Sequence, residues 1–517
     1  MRTNNMLKNV FTNFLNNFLS YLLRFVSRIV FVRVLSEVYL GVNGLLSNVL
    51  GLLALTELGI GTAIGYTLYD PLAKKDDKKV LSLMKFYKKT YRIISLVIFV
   101  LGIILLPFLD FFIKDASVVS NLSIIYLIYL INMVIGYLYS YKRTLVVSDQ
   151  KNYKIMPYIM FFSILTSILQ IISLLIFKNY FVYLIIQTIC IILENIIINR
   201  FIDKEYPYLK DIESAKPLKK EELTKIRKNI FALIFHKIGS YVVNSTDNLV
   251  ISKYIGIVTT GIYSNYVLII NIINSFFQMV VNNLIASFGN LISLEQEKKR
   301  FLVFKEINML TFMFYSVVTV GFIILFNPVI SLCFGSDLTL PFIVVLLISI
   351  SNYIQGMTNT VITIQSSAGL YTKDAYVSII QALVNIIISV ILVNKIGLSG
   401  VVIGTIVCML IQLINKPRIV YKNIFQENPF KYYLEFIIQS ILIILDLIIC
   451  SFLLKFLNQL PLIIYIILGI IIICLIVTLN NLLFYYKKEE FKYLLNRIKF
   501  LLKGRKNAKT SHINNVS

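Results

Sequence analysis

Stretches of about twenty mainly apolar residues follow one another along almost the whole chain, and each is long enough to cross the hydrocarbon core of a bilayer as a helix. Hydrophobic residues make up 58% of the sequence, whereas soluble globular proteins are about 45–50% apolar. The pattern predicts an all-α integral membrane protein with about fourteen transmembrane helices. The apolar windows cover residues 9–35, 38–68, 91–113, 121–148, 154–177, 179–202, 229–254, 257–287, 304–326, 341–369, 376–394, 397–420, 432–457 and 461–486.

The lysines and arginines between these windows predict how the helices are oriented. If the N-terminus is cytoplasmic, about forty of the 50 basic residues fall in connections on the cytoplasmic side, as the positive-inside rule requires. An even number of spans then places both termini in the cytoplasm and the chain in the cell membrane. The same distribution accounts for the formal net charge of +24 without nucleic acid as a partner.

A polar connection at residues 203–228 and a weak internal repeat divide the windows into groups. Gly41 follows the first window and Gly261 follows the seventh, each in a short turn that leads into a long helix. Six helices between equivalent points preserve orientation, so the chain is predicted to form two parallel six-helix lobes followed by two C-terminal helices. The predicted parts are an N-terminal lobe at 1–202, a cytoplasmic connection at 203–228, a C-terminal lobe at 229–425, an extra helix pair at 426–486 and a basic cytoplasmic tail at 487–517.

The tail repeats apolar residues at helical spacing between lysines and arginines. This pattern is typical of an amphipathic helix at the surface of an anionic bilayer, so membrane lipid is a predicted contact. The apolar positions are Phe491, Leu494, Leu495, Ile498 and Leu501.

Two arginines, Arg24 and Arg28, lie well inside the first apolar window. At 100° per residue they share one stripe of a helix with asparagine and serine, while the remaining face is Phe, Leu, Val and Ile. An arginine at bilayer depth costs at least about 2.5–3.5 kcal/mol unless it faces protein or water. The stripe therefore predicts a hydrated, cationic cavity inside a helical bundle, and an anionic, polar cargo to fill it.

Polar stripes also run along other predicted helices. On any single helix such residues most often form hydrogen bonds between helices, but stripes on the first, second, seventh and eighth helices together favour a water-filled pathway. Amides and hydroxyls both donate and accept hydrogen bonds, which suits sugar hydroxyls. On the eighth helix the stripe consists of Ser264, Asn271, Ser275, Gln278 and Asn282.

Three further titratable residues are candidates for gating or coupling. Counting about 1.5 Å per residue places Arg28 and Asp247 at similar depth, where they could pair as an outer gate. Glu57, on the second helix, could neutralise Arg24; a static ion pair is the alternative in both cases. His236 could relay a proton, although a histidine in the core or at the interface is the simpler interpretation.

Known enzyme signatures are absent from the sequence. There is no Walker A motif, no H-E-x-x-H and no G-x-S-x-G. The 5 cysteines lie in or beside apolar windows without a pairing pattern, so they are predicted to be core residues and not metal ligands or disulfides. We therefore expect no catalytic residue, no cofactor and no metal site.

The run from Glu37 to Asp76 begins E-V-Y-L-G-V-N-G and continues through T-E-L-G-I-G-T-A-I-G. It resembles the bacterial polysaccharide flippases of the multidrug/oligosaccharidyl-lipid/polysaccharide exporter superfamily, with the Wzx-type translocases of Gram-positive capsule clusters the most similar. The stretch from Asp247 to Tyr266 and the glycine-rich turn from Gly397 to Gly404 are similar too.

This resemblance implies two six-helix lobes around a cavity lined by the first, second, seventh and eighth helices. It implies alternating access that turns an undecaprenyl-diphosphate-linked oligosaccharide outward for capsule or exopolysaccharide synthesis. Arg24 and Arg28 would then meet the diphosphate, and Asn271, Ser275, Gln278 and Asn282 the sugars. Further implied partners are a polysaccharide polymerase and other assembly proteins.

Three alternatives stay open at this point. The extra helix pair from Lys431 to Tyr486 resembles the lipid II flippase branch, so the cargo could be a peptidoglycan precursor. A cation-coupled multidrug exporter shares the superfamily fold, but its cavity would favour acidic residues over arginines. A membrane glycan polymerase or ligase would be an enzyme and would need large outside loops, which the windows leave no room for.

Overall fold

The computed structural model describes residues 2–497 and 499, apart from 58–59, 115–118, 225, 227–245, 295, 369 and 371–374. Within these residues the chain forms α-helices joined by short turns, and no strand occurs among them. The helices are α1 (Arg2–Val34), α2 (Glu37–Ala54), α3 (Ile60–Lys74), α4 (Asp77–Leu105), α5 (Leu122–Ser148), α6 (Met156–Phe177), α7 (Tyr180–Glu205), α8 (Ile257–Leu294), α9 (Glu297–Phe334), α10 (Phe342–Ser367), α11 (Ala375–Ile396), α12 (Leu398–Val420), α13 (Phe430–Lys455) and α14 (Leu462–Tyr485). The predicted all-α class is confirmed.

Twelve helices of the described chain are long and apolar enough to cross a membrane. The predicted count of fourteen is therefore not confirmed. Helix α1 covers the first predicted window but is not among the twelve. The window at 229–254 lies mostly outside the described residues, where only 246–254 are seen to be helical.

The window at 38–68, predicted as one long helix, is broken in two. Helix α2 ends at Ala54, a short 3-10 turn follows at Leu55–Glu57, and α3 begins at Ile60. The Glu57 carboxylate accepts a hydrogen bond from the Gly61 backbone N–H at 2.8 Å. Since the first N–H groups of a helix lack partners within it, Glu57 supplies one for the first turn of α3.

Two compact units make up the chain. The first contains Met1–Ile272 and Asp374–Thr405, and the second contains Ile273–Lys373 and Ile406–Ser517. Helices α8 and α12 each begin in the first unit and end in the second. The lobe limits inferred from the sequence at 202, 228 and 425 remain a prediction.

Within the first unit, α1 packs against α6, and α6 packs against α7. Helix α5 packs against both α4 and α7. The polar connection after α7 lies against the start of α4, where the Lys85 ammonium donates to the Ala215 carbonyl at 3.0 Å. Lys142 on α5 holds Asp203 at the end of α7 with bonds of 2.6 and 2.7 Å. This hydrogen bond and this ion pair join the connection to neighbouring helices.

The two glycines that the sequence paired as equivalents meet in the structure. Gly41 is the fifth residue of α2 and Gly261 the fifth residue of α8. A Cβ at Gly41 would lie 1.9 Å from the Ile257 carbonyl oxygen, and one at Gly261 would lie 2.8 Å from the Glu37 carbonyl oxygen. Each glycine thus leaves room for the backbone of the other helix, and the first turns of α2 and α8 are in direct contact.

We expect Gly41→Ala to destabilise the protein by about 1–3 kcal/mol, because the new methyl group overlaps with backbone and not with a side chain that can rotate away. Gly44→Ala is the matched control on the same helix, since a Cβ there has its nearest neighbour at an ordinary 3.6 Å. Thermal unfolding of the two purified variants in detergent compares them. Equal melting temperatures would show that the crossing tolerates a side chain.

In the second unit, the start of the basic tail folds back onto α9. Residues 489–497 are helical, and the Arg497 guanidinium contacts both carboxylate oxygens of buried Glu306 at 2.9 and 3.2 Å. Phe491 and Leu494 pack on the core of the unit, whereas Leu495 is exposed. The predicted amphipathic helix therefore forms in its described part, with one apolar edge covered by protein; Ile498 and Leu501 lie outside the described residues.

Candidate functional site

The exposed side chains of the first unit separate two kinds of helix surface. At mid-helix the exposed residues of α6 and α7 are apolar, as a lipid-facing surface requires; they are Phe161, Ile168, Leu169, Ile172, Ile185, Ile189, Leu193 and Ile197. On α2 the one exposed residue is Ser47, and on the part of α8 that belongs to the first unit, 257–272, the exposed residues are Val258 at its start and Asn271. Because lipid does not solvate such groups, these two helices turn a polar side toward water.

Helix α1 has both kinds of surface. Its exposed apolar residues form one stripe, namely Leu15, Phe18, Leu22 and Val26. Arg24 is also exposed, but it lies about 180° around the helix from Leu15. The guanidinium therefore leaves α1 on the side opposite its apolar stripe. Within the part of the chain that the structure describes, Arg24 forms no ion pair with an acidic residue.

Arg28 lies in a different environment, one turn further along α1. Its Nε donates to Asn265 Oδ1 at 3.1 Å and its Nη2 bonds to Ser264 Oγ, both on α8. The charge is close enough to interact with three tyrosines, Tyr129, Tyr180 and Tyr183. Arg28 is thus held by neutral polar groups, and it joins α1 to α8 inside the first unit.

The expected ion pair between Arg28 and Asp247 is not formed. Instead, the Asp247 carboxylate accepts from the Thr405 hydroxyl, which lies 3.0 Å from each oxygen, and from the Tyr263 hydroxyl at 3.3 Å. The prediction matched the depth of the two residues along their helices. Which side chains pair also depends on the direction in which each one leaves its helix, and the rise per residue does not give that direction.

The Asp247 carboxylate stands at the end of a chain of hydrogen bonds. The Thr246 hydroxyl donates to Asn385 Oδ1 at 2.8 Å, and Asn385 Nδ2 donates to the Thr405 hydroxyl at 3.2 Å. Thr405 in turn contacts Asp247. The group consists of hydroxyl and amide side chains around one carboxylate. Its oxygen atoms are of the kind that binds a proton or a hard alkali cation.

Sequence reasoning found Asp247 but missed Asn385 and Thr405. They come from α11 and α12, more than a hundred residues along the chain, and neither lies in a charged or unusual motif. Close packing brings the two helices together: a Cβ at Gly404 would lie 2.2 Å from Ser389 Oγ. The glycine-rich turn from Gly397 to Gly404 was the feature of the sequence that could have indicated this close packing of α11 and α12. No group of three His, Cys, Asp or Glu side chains able to hold a metal occurs among the described residues.

Glu57 does not neutralise Arg24. Besides the Gly61 N–H, its carboxylate accepts from the Tyr91 hydroxyl on α4 at 3.2 Å. These contacts fix the break between α2 and α3 and account for a carboxylate at this position. A role of Glu57 in gating or coupling remains a prediction.

The residues predicted to meet sugars are divided between the two units. Asn271 belongs to the first unit and is exposed, while Ser275 and Gln278 belong to the second and are partly buried. Their neighbour Asn274 donates to Asn352 Oδ1 on α10 at 2.8 Å, so one amide of this helix serves packing. The side chain of Asn282 and the whole of His236 lie outside the described residues.

Comparison with known proteins identifies related sequences and folds. The model of a family described as "Polysaccharide biosynthesis protein" matches residues 6–288. No curated protein gives a significant sequence match.

Among solved structures, the lipid II flippase MurJ in an inward closed conformation is similar with a TM-score of 0.65 and 15% identity, over 93% of this chain and 99% of that chain. An inward-facing multidrug resistance transporter of the MATE family and MOP superfamily gives 0.59 and 14%, over 78% and 95%. A MOP superfamily transporter from Pyrococcus furiosus, described as having a binding pocket of reverse polarity, gives 0.54 and 13%, over 81% and 96%. At these identities the likeness shows the fold. With twelve apolar helices in the part that the structure describes, the chain is a multi-pass membrane protein of this fold.

Proposed function

Because the chain belongs to the polysaccharide biosynthesis protein family, we propose that it is a flippase for a lipid-linked glycan. Its cargo is an undecaprenyl-diphosphate-linked oligosaccharide repeat unit, which it turns across the cytoplasmic membrane by alternating access for capsule or exopolysaccharide synthesis. A fold similar to that of a lipid II flippase supports a cargo with a lipid anchor. The proposal assigns no catalytic residue and no cofactor.

The observation that carries this proposal is the exposure of Arg24 on the side of α1 opposite its apolar stripe. A fixed cation on a water-facing surface in a membrane protein attracts an anionic cargo. A diphosphate has about two negative charges, and a guanidinium binds its oxygens in a bidentate manner. Arg24 is therefore proposed to take the diphosphate as it enters.

Arg28 is proposed as the second diphosphate contact. A guanidinium has five N–H donors, and the bonds to Ser264 and Asn265 involve two of its three nitrogens. These bonds fix the orientation of Arg28, and its remaining donors stay available for phosphate oxygens. The sugars would then meet Asn271, Ser275, Gln278 and Asn282 along α8, as the resemblance implies.

Asp247 is proposed as the coupling residue. Its carboxylate already receives hydroxyl donors from Thr405 and Tyr263, so binding a proton or an alkali cation would rearrange bonds that join three helical segments. Such a rearrangement links ion binding to the position of helices within the first unit. His236 remains a candidate proton relay and Glu57 a candidate gate.

A lipid II-type peptidoglycan precursor is the second candidate cargo. The comparison with MurJ covers 93% of this chain, whereas those with the two MOP transporters cover 78% and 81%. This greater coverage favours the lipid II flippase branch over the multidrug exporters. A cation-coupled multidrug exporter is less well supported, because the exposed mid-helix charge of α1 is basic.

The orientation is also part of the proposal. Both termini are placed in the cytoplasm on the basis of the basic residues between the helices. The exposed Lys216 in the connection after α7 would then react from outside, as Lys216→Cys, only after the membrane is permeabilised.

Deleting the protein in its host should cause a diphosphate-linked oligosaccharide lipid to accumulate on the inner membrane face while surface polysaccharide is lost. Extraction of lipids and mass spectrometry measure it, and the mass identifies the glycan. Accumulation of a peptidoglycan precursor would move the assignment to the second candidate. A deletion strain with neither lipid would contradict the proposed function.

A further inference from the structure

The extra helix pair α13 and α14 holds a carboxyl group that the proposed transport function does not use. Asp446 lies on α13 and its side chain is 1% exposed. It is nine residues before the end of the helix at Lys455, or about 14 Å along the axis. That distance places the carboxyl group well within a hydrocarbon core of about 30 Å.

Asp446 belongs to a seam of polar side chains between α13, α14 and α9. Asn480 Nδ2 on α14 donates to Asp446 Oδ1 at 2.6 Å. Next to it, Asn481 Nδ2 donates to the Ser316 hydroxyl on α9 at 2.8 Å. Nearer the start of α13, Gln439 Nε2 donates to the Tyr485 hydroxyl on α14 at 2.8 Å.

Donors and acceptors do not balance in this seam. The second carboxyl oxygen of Asp446, Oδ2, is buried and receives no hydrogen bond from any residue that the structure describes. The same holds for Asn481 Oδ1 and Gln439 Oε1. Three buried acceptors therefore lack a protein donor. Buried oxygen atoms in proteins nearly always have one.

Among the residues that the structure describes, no basic side chain pairs with Asp446. Helix α14 contains no charged residue, and the charged residues of α9 all lie at or before Glu306. On α13 the nearest are Glu435 and Lys455, about three turns away on either side. The titratable groups on these elements that lie nearest are the Cys450 thiol, which interacts with Asp446, and the Tyr485 hydroxyl, which is bound to Gln439.

We propose that Asp446 is a proton-binding site, and that its proton holds α13 against α14 and α9. An ionised carboxylate with a single amide donor and no cation is very costly in a low-dielectric interior. A bound proton removes the charge and converts one unpaired acceptor into the donor that the seam lacks. The amide and hydroxyl neighbours on this seam are too few to form the oxygen cage that an alkali or alkaline-earth cation needs.

The proposal makes the helix pair sensitive to pH. The folded chain holds a proton at Asp446 that an exposed aspartate releases above about pH 3.9. Raising the pH therefore favours states in which the carboxyl group reaches water. Local opening of the seam becomes easier by up to about tenfold per pH unit over the range in which the exposed carboxyl group is ionised and the buried one still holds its proton. This holds whichever lipid the protein carries.

Cys450 reports on the seam directly. Its side chain is fully buried on α13, one turn from Asp446. The experiment uses the full-length protein with Cys450 as its sole thiol, the other four cysteines, Cys190, Cys333, Cys408 and Cys474, being replaced by alanine. The rate of maleimide labelling is measured between about pH 5 and pH 9, and it is divided by the rate of the unfolded protein at each pH, which removes the intrinsic reactivity of the thiol.

We expect protection of Cys450 to fall steeply as the pH rises, and to stay constant in Asp446→Asn, which keeps an acceptor for Asn480 but cannot ionise. Glu427→Gln is the control, because it removes a carboxylate paired with Lys431 at 2.7 Å outside the seam, and it should behave as the parent. Protection that is independent of pH in the parent protein would overturn the proposal, whether or not the asparagine variant folds. Protection that follows sodium concentration at constant pH would also overturn it, since the bound ion would be a metal.

Discussion

Arg24→Ala is expected to abolish export of the lipid-linked oligosaccharide, and Arg24→Lys to retain part of it. A diphosphate has about two negative charges, which are very costly to place in a low-dielectric layer without a counter-charge. A hydrogen bond to a charged group contributes about 1.5–3 kcal/mol, or roughly tenfold to more than a hundredfold in rate. Lysine keeps the charge and loses the bidentate geometry.

The matched control for Arg24 is on the same helix. Arg33 is also exposed, but it lies about 180° around α1 from Arg24 and near the helix end. Arg33→Ala should leave export close to that of the parent. Export is measured as surface polysaccharide per folded molecule in the membrane.

The Arg24 variants also separate the alternatives. If Arg24 only stabilises the packing of helices, Arg24→Ala should lower the amount of folded protein in proportion to the lost export. If the protein exports cationic drugs, the alanine variant should transport as well as the parent or better. Unchanged export per folded molecule would exclude an anionic cargo bound by this residue.

Asp247→Asn is expected to leave the protein folded in the membrane while export falls by at least about tenfold. An asparagine side chain can still accept hydrogen bonds from Thr405 and Tyr263, so the packing of α11, α12 and α8 around it should survive. What it loses is the negative charge that would bind a proton or an alkali cation.

A second variant isolates the charge of Asp247 from its surroundings. Thr246→Val removes the hydroxyl that donates to Asn385 and leaves the carboxylate in place, so it should reduce export only mildly. Export is compared in cells at equal amounts of membrane protein, over a range of external pH and sodium. An Asp247→Asn variant with normal export and an unchanged response to both ions would reduce Asp247 to a packing role.

The fold class could be predicted from the sequence because apolar windows of about twenty residues have few solutions in a bilayer. The break inside the window at 38–68 could not be predicted. It depends on the Glu57 side chain bonding to the Gly61 N–H, a local contact that hydropathy does not register. The contact between Gly41 and Gly261 could be predicted only in part. The sequence repeat indicated that the two glycines are equivalent, but it did not indicate that their helices touch.

The candidate site shows the same limit. Rise per residue gives the depth of a side chain along its helix, and by that count alone Arg28 and Asp247 could pair. It does not give the rotation of a helix or the identity of its neighbours. Asp247 therefore bonds to Thr405, which lies on a helix far along the chain, and Arg28 bonds to Asn265.

We propose that a fixed cation on α1, Arg24, selects a diphosphate-linked lipid. The most direct measurement uses the purified protein in lipid vesicles and follows inward and outward movement of two cargo lipids that differ only in having a diphosphate or an uncharged link between lipid and sugar. The parent protein should move the diphosphate-linked lipid much faster, and Arg24→Ala should lose that preference while Arg33→Ala keeps it. Equal rates for the two lipids in the parent protein, or a preference that Arg24→Ala retains in full, would show that Arg24 does not select the diphosphate.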